Sequence, residues 1–362
     1  MRSISAPNED PKEVFELCVN SISDKRLRCR LSAVSDVVAA AAYQYWKNGI
    51  ENTLYSLPSN DCKNEEIVIG SVNKQELKDV YSVHMVGRAK PARKIYDSLL
   101  SRAPHGRCPF CGIGNASTLD HYLPKSRYPT LSVVPQNLVP SCKDCNTGKK
   151  ANISTVAEKQ SLHPYFDNSS VISEQWIFAD VESTYPETVR FFVRAPEDWD
   201  ETLKKRVHSH FEDFNLANRF SIEAADELAN KRYLLTEFER KNGAQALIDL
   251  LSDEADSHFR VHKNSWQTAF YQALHEHYMV SKKSQNQATK VCPVCDGEGV
   301  FVNYFCPCCS GNGIVSGHME INDSDYQRLK CPECDGRPGC RLCAGSGVIR
   351  REKALQLARS RP

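Results

Sequence analysis

The sequence predicts a mostly α-helical protein that holds a small metal-centred β-unit and ends in an irregular β/loop tail built around cysteines. Three observations carry this. Apolar residues recur at helical spacing between about residues 11 and 103 and again between 199 and 283. Twelve of the sixteen cysteines fall in Cys-x-x-Cys pairs, two pairs between 108 and 145 and four between 292 and 343. Without an apolar signal core at the N-terminus, such pairs read as metal ligands rather than as a disulfide framework. Each tail pair is followed by glycine, which a chain turning tightly round an ion needs.

Residues 1–103 form the first expected region, mostly helical. Pro11 followed by EVFELCVNSI opens one segment, LSAVSDVVAAAAYQYWKN (31–48) a second, KQELKDVYSVHMV (74–86) a third, and PARKIYDSLLSRA (91–103) a fourth that Pro91 enters. Leu57 to Glu66 is polar and reads as a loop. Cys18, Cys29 and Cys62 lack a partner at metal spacing and are expected to be ordinary thiols. Lys25, Arg26, Arg28 and Arg30 look like a solvated helix face. Arg88, Lys90, Arg93 and Lys94 lead through Arg102 and Arg107 into Cys108. With Lys125, Arg127, Lys143, Lys149 and Lys150 they could form a continuous phosphate-contacting rim.

The second region, 104–170, carries the chemistry. Cys108/Cys111 and Cys142/Cys145 make the four-thiolate set of a closed structural zinc site. Between them stands Asp120-His121, followed by Asn137, and Asn146 comes directly after the last cysteine. Phosphodiester hydrolysis needs a base for water and a divalent cation against the charge growing on phosphate. A neutral histidine suits the first task, and hard oxygen donors from Asp120 and Asn146 suit Mg²⁺ or Mn²⁺. Ser141-x-x-Asp144 reads as a capping box that starts a helix near Cys142. Neighbours on a strand face opposite ways, so Asp120 and His121 can serve one phosphate only if the strand ends there. Pro124 agrees with such an ending.

These residues, from Cys108 to Lys150, resemble the HNH nuclease motif, the ββα-metal fold, in its zinc-stabilised form. The steps of 16 residues from His121 to Asn137 and 9 more to Asn146 suit that family. The resemblance implies His121 as general base and Asp120 and Asn146 as ligands of the catalytic metal. It implies Asn137 as the residue that pins the loop behind His121. Asn146 stands where the family's last histidine often is, a common variant.

Residues 171–283 form the third region: a strand hairpin, with TVRFFVRA (188–195) as one arm, then helices. Leu203, Val207, Phe211 and Phe214, and likewise Trp266, Phe270 and Leu274, form core stripes. His208/His210 and His275/His277 are two apart and so do not share a helix face. SKKSQNQATK (281–290) reads as a polar linker. Residues 291–350 then repeat Cys-x-x-Cys-x-Gly, and the module resembles the zinc-finger region of DnaJ-type co-chaperones. By that resemblance Cys292, Cys295, Cys340 and Cys343 hold one zinc, and Cys306, Cys309, Cys331 and Cys334 another. The third unit has Pro338 where its second glycine belongs, and Cys308 is an extra thiol. No His-Pro-Asp signature accompanies the fingers. Residues 351–362 form a basic tail.

Net charge is +1, so any nucleic-acid surface must be local, and no apolar run is long enough to span a membrane. The expectation is a cytoplasmic HNH endonuclease with three structural zinc ions and a catalytic Mg²⁺ or Mn²⁺. DNA is the expected substrate, and defence against phage the expected role, under control of a partner such as an ATPase. The competing reading is a non-catalytic zinc protein that binds nucleic acid or another protein.

Overall fold

The computed structural model describes residues 1–148, 154–167, 170–182 and 188–291, together with the strand segments 300–301, 304–305, 314–316, 328–330 and 348–350; from 281 onward it describes backbone alone. The chain divides into two compact units, Met1–His275 and Glu276–Pro362.

In the first unit, α1 (Pro11–Asn20) starts where Asp10 accepts hydrogen bonds from the Lys12 and Glu13 amides. Asp24 caps α2 (Lys25–Ser32) in the same way. The apolar stretch expected as one helix from 31 is divided at Ala33 and Val34, and α3 runs Ser35–Ile50. A short hairpin of β1 (Ile67–Ile69) and β2 (Val72–Asn73) follows. An Asn73–Glu76 capping box then opens α4 (Lys74–Asp79). The helical path continues through Val80–Met85, but as π-helix. After α5 (Arg93–Ser101) come β3 (Thr118–His121) and β4 (Leu138–Ser141), an antiparallel pair that sets Asp120 opposite Val139 and His121 opposite Leu138. A short helix, α6 (Lys143–Gly148), follows directly.

One core joins these pieces. Val14, Phe15 and Cys18 of α1, Val38 of α3, Leu77 of α4, Val80 and Met85 of the π-helical stretch and Leu99 of α5 pack with Leu119, Val133 and Leu138 of the β-unit. Burial pushes the Cys18 thiol up to about 12, as suits an inert core residue. The N-terminal helices are therefore one wall of the β3–β4 unit.

The other wall comes from downstream. After α7 (Ser170–Ser173), β5 (Ile177–Glu182) and β6 (Thr188–Val193) form the expected hairpin. α8 (Glu201–Asp213) stops at Asn215, which takes a left-handed conformation at φ 49°, so the Leu216–Phe220 stretch that looked continuous with α8 belongs to α9 (Leu216–Asn242). Gly243, at φ 86°, separates α9 from α10 (Ala244–Val261). Val207, Phe211, Phe214, Phe270 and Leu274 are buried, as their stripes require. The fourth helix of this group, α11 (Trp266–Ala288), runs through most of the polar stretch expected as a linker. A polar composition that lacks Gly and Pro is compatible with helix, and here the helix is what forms.

The second unit contains antiparallel strand pairs: β7 (Thr289–Val291) with β10 (Ile314–Ser316), β8 (Val300–Phe301) with β9 (Tyr304–Phe305), and β11 (Arg328–Lys330) with β12 (Val348–Arg350). The eight tail cysteines expected to bind zinc lie outside the described residues. Among the described residues, no helix is long and apolar enough to cross a membrane.

Candidate functional site

The four cysteines of the β-unit converge. The sulfurs of Cys108, Cys111, Cys142 and Cys145 all lie within 4.8 Å of one another, and all four residues are buried. The Cys111 and Cys142 sulfurs are 3.8 Å apart. A tetrahedral zinc with Zn–S bonds of about 2.3 Å has sulfur–sulfur edges of roughly 3.8 Å, so the donor set fits that ion. The knuckle is closed by the Gly112 amide donating to the Cys108 carbonyl and the Cys108 amide donating to the Gly114 carbonyl, each at 2.8 Å. Gly114 has to be glycine, because a Cβ there would stand 2.6 Å from the Cβ and 2.7 Å from the sulfur of Cys142.

The helix start differs from the expected capping box. Ser141 is the last residue of β4, and its hydroxyl donates to the Cys142 carbonyl. The Cys145 amide instead meets the Cys142 sulfur at 3.5 Å. A sulfur of the four-cysteine cluster thus occupies the capping place, and Asp144 pairs with Arg219 at 3.6 Å.

Arg219, on α9, is the residue that sequence reading missed. Its guanidinium donates to the sulfurs of Cys145 at 3.2 Å, Cys111 at 3.4 Å and Cys142 at 3.7 Å. Four thiolates around a divalent ion leave two net negative charges in a buried place, and this cation offsets one of them. The only sequence signal was a lone arginine at the start of a helix. Arg219→Met should speed zinc loss to a chelator about tenfold, the scale of one lost charge-assisted hydrogen bond. A colour-forming chelator follows the release directly, and an unchanged rate would show the contact to be idle. The knuckle is also held from α8, where His210 Nε2 donates to the Phe110 carbonyl at 2.9 Å and Phe214 stacks on Phe110 at 4.8 Å.

β3 delivers Asp120 and His121. Asp120 and His121 are the last two residues of the strand, both paired with β4, so their side chains still alternate in facing. Thr118 and Asp120 share one strand face, and the Asn146 side-chain amide donates to the Thr118 hydroxyl at 2.9 Å. Asn146 therefore stands over the face that carries Asp120. With its nitrogen committed to Thr118, its carbonyl oxygen is the atom of this side chain that has ligand chemistry for a hard cation.

His121 lies on the opposite face with Leu119, towards the N-terminal helices. Its Nε2 is 2.8 Å from the Ser132 carbonyl. A carbonyl only accepts, so Nε2 carries the proton and Nδ1 is the basic nitrogen. Burial first, and the nearby Lys125 ammonium second, hold the imidazole pKa down at about 3, so the ring is neutral at pH 7.

Asn137 is fully buried at the end of the β3–β4 connection. Its side chain accepts from the Leu123 amide at 2.8 Å and donates to the carbonyls of Leu123 at 3.0 Å and Leu131 at 3.2 Å. A buried loop must find partners for its backbone, and one amide side chain supplies three of them here.

The cationic candidates separate. Arg93 pairs with Asp97, Arg102 with Glu9 and Arg127 with Asp61, while Arg107 donates to the Ile113 carbonyl. Arg93, Arg102 and Arg127 thus have carboxylate partners within the protein. Lys143 is exposed on α6, and Lys125 stands close to His121. Lys149 and Lys150 lie outside the described residues.

Residues 108–152 match the family model described as HNH endonuclease. Protein ea31 of Escherichia phage lambda is 38% identical over 193 residues, which cover 52% of this chain and 65% of that protein. No solved structure matches the chain. The segment that brings the four cysteines together, and sets Asp120 and His121 at a strand end, is thus the one that matches the HNH endonucleases.

Proposed function

We propose that the protein is a metal-dependent endonuclease that hydrolyses phosphodiester bonds in DNA. One observation supports this above the others: His121 spends Nε2 on the Ser132 carbonyl, which leaves the Nδ1 lone pair as the acceptor, one residue from the Asp120 carboxylate at the end of β3. Nδ1 takes the proton of the attacking water. Asp120 and Asn146 hold a Mg²⁺ or Mn²⁺, which when bound neutralises charge growing on the phosphate. Asn137 keeps the connection behind His121 in place. The Cys108, Cys111, Cys142 and Cys145 set holds a structural zinc that orients α6 and with it Asn146. The tail cysteines hold two more zinc ions and add affinity or choose the target. The cellular role that we assign is defence against phage or foreign DNA; the helical body around the HNH segment supports it by analogy.

Supercoiled plasmid incubated with the protein and Mg²⁺ should become nicked or linear. EDTA should stop the reaction and excess Mg²⁺ restart it. Zinc-replete protein that leaves plasmid and single-stranded DNA intact with both Mg²⁺ and Mn²⁺ would overturn the proposal, and cleavage of RNA alone would change its substrate.

A further inference from the structure

The π-helical stretch Val80–Met85 lies outside the segment that matches the HNH family, yet its side chains meet the site. Its wider turn is visible in the Val86 amide, which donates to the Tyr81 carbonyl five residues back at 3.0 Å. Tyr81 stands edge-on to the His121 ring, with centroids 4.4 Å apart and planes at 73°. Its hydroxyl donates to the carbonyl of Leu119 on β3 at 3.2 Å. The Lys125 ammonium lies 4.5 Å from the centre of the same Tyr81 ring and donates to the Ser82 hydroxyl at 2.8 Å. One turn earlier, the Leu77 carbonyl accepts from the Ser132 hydroxyl at 2.8 Å, and Ser132 is the residue whose carbonyl fixes His121.

We propose that Tyr81 is a positioning residue that holds the base, His121, and one substrate-binding cation, Lys125, on a single ring, and that Lys125 takes the phosphate being cut. This rests on the nuclease reading above. Arg93, Arg102 and Arg127 face carboxylates, whereas among the described residues no ion pair joins Lys125 to one. The half-buried Lys125 ammonium gives one of its three hydrogens to Ser82 and meets the Tyr81 ring, with Lys78 and Asp79 also near it. Burial, then the neighbouring Lys78, press its pKa down, which an anionic ligand would relieve. The ligand that fits beside a neutral histidine base is a phosphodiester oxygen. A π-turn is the device that allows it: consecutive residues Tyr81 and Ser82 both point at the site, Tyr81 to the ring of His121 and Ser82 to the ammonium.

The test is single-turnover cleavage of a DNA duplex at saturating enzyme by the full chain, with melting temperature and zinc content measured on every variant. Lys125→Met should lower the saturated rate by about 10²-fold, the scale of a lost phosphate clamp, and Lys125→Arg should recover part of it. Tyr81→Leu should lower the saturated rate about as far with little change in the DNA concentration for half-saturation, and Tyr81→Phe, which keeps the ring, should recover most of the loss. The Tyr81→Leu, Lys125→Met double variant should fall little below the worse single one, because both act through one unit. Should Tyr81→Leu fail to fold, Lys125→Met carries the decision. A Lys125→Met rate at the wild-type level with only weaker binding would make Lys125 an ordinary groove contact and overturn the proposal. So would a folded Tyr81→Leu protein that cleaves like wild type. His121→Ala runs alongside: if it is inactive while these variants are active, this inference falls alone, and if it too cleaves normally, the nuclease reading falls with it.

Discussion

His121→Ala should lower the rate of DNA cleavage by roughly 10²–10⁴-fold, the usual contribution of a positioned general base. The Nε2 proton goes to the Ser132 carbonyl, which leaves the Nδ1 lone pair as the proton acceptor. Alanine removes that acceptor and leaves Asp120 and Asn146 in place. Metal and DNA binding should therefore stay near wild type while the saturated rate collapses. The fold should tolerate the change: the losses are one hydrogen bond to Ser132 and one ring contact with Tyr81, about 1–2 kcal/mol together. Single-turnover cleavage, with DNA binding measured by anisotropy and melting followed by circular dichroism, checks all three parts. An undiminished rate would remove His121, and with it the HNH mechanism, from consideration.

Cys142→Ser should unfold the β-unit. Structural zinc supplies on the order of 10 kcal/mol to small domains, as much as the whole stability of a typical domain. Cys142 is more than one of four ligands. Its sulfur also occupies the capping place of α6, and Gly114 approaches it so closely that the knuckle has no slack. Losing that sulfur frees α6 and with it Asn146. The variant should expose apolar surface from Leu119, Val133 and Leu138 and lose the zinc of this cluster, whereas Cys29→Ser, at an exposed thiol, should melt like wild type. Elemental analysis and thermal melting of the two variants side by side decide the point; equal zinc content and equal melting would refute it.

Much of the site was legible because its chemistry is local in sequence. Two Cys-x-x-Cys pairs have few uses in this context, and Asp120-His121 before Pro124 announced a strand end that the structure contains. Asn137 was singled out by the resemblance, and its side chain bonds to Leu123 and Leu131 in the β3–β4 connection. What sequence reading missed came from distance or from ambiguous periodicity. Arg219 reaches Cys111 across 108 residues of chain, and nothing local marks it. Ser141 and Asp144 have the letters of a capping box, but the metal knuckle dictates the geometry and the sulfur of Cys142 takes the place. Tyr81 read as one more apolar position of an amphipathic helix, since a π-turn shifts the facing residues without changing composition. The polar residues beyond 280 had the composition of a linker yet are helical as far as Ala288.

Asp167 and Arg206 form a bidentate pair at 3.0 and 2.7 Å, each side chain only 5% exposed, between the end of the β-unit and α8. That pair limits how such a centre can be inherited or borrowed. A fragment ending near residue 170 would keep Asp120, His121, Asn137 and Asn146 but lose Arg206, leaving the Asp167 carboxylate with the His163 amide as its remaining partner here. The same cut would strip Phe110 of Phe214. The segment that matches the HNH endonucleases is therefore part of a larger folding unit, to which α8 contributes the Arg206 side of a buried ion pair and α9 the Arg219 contacts to the cysteine cluster.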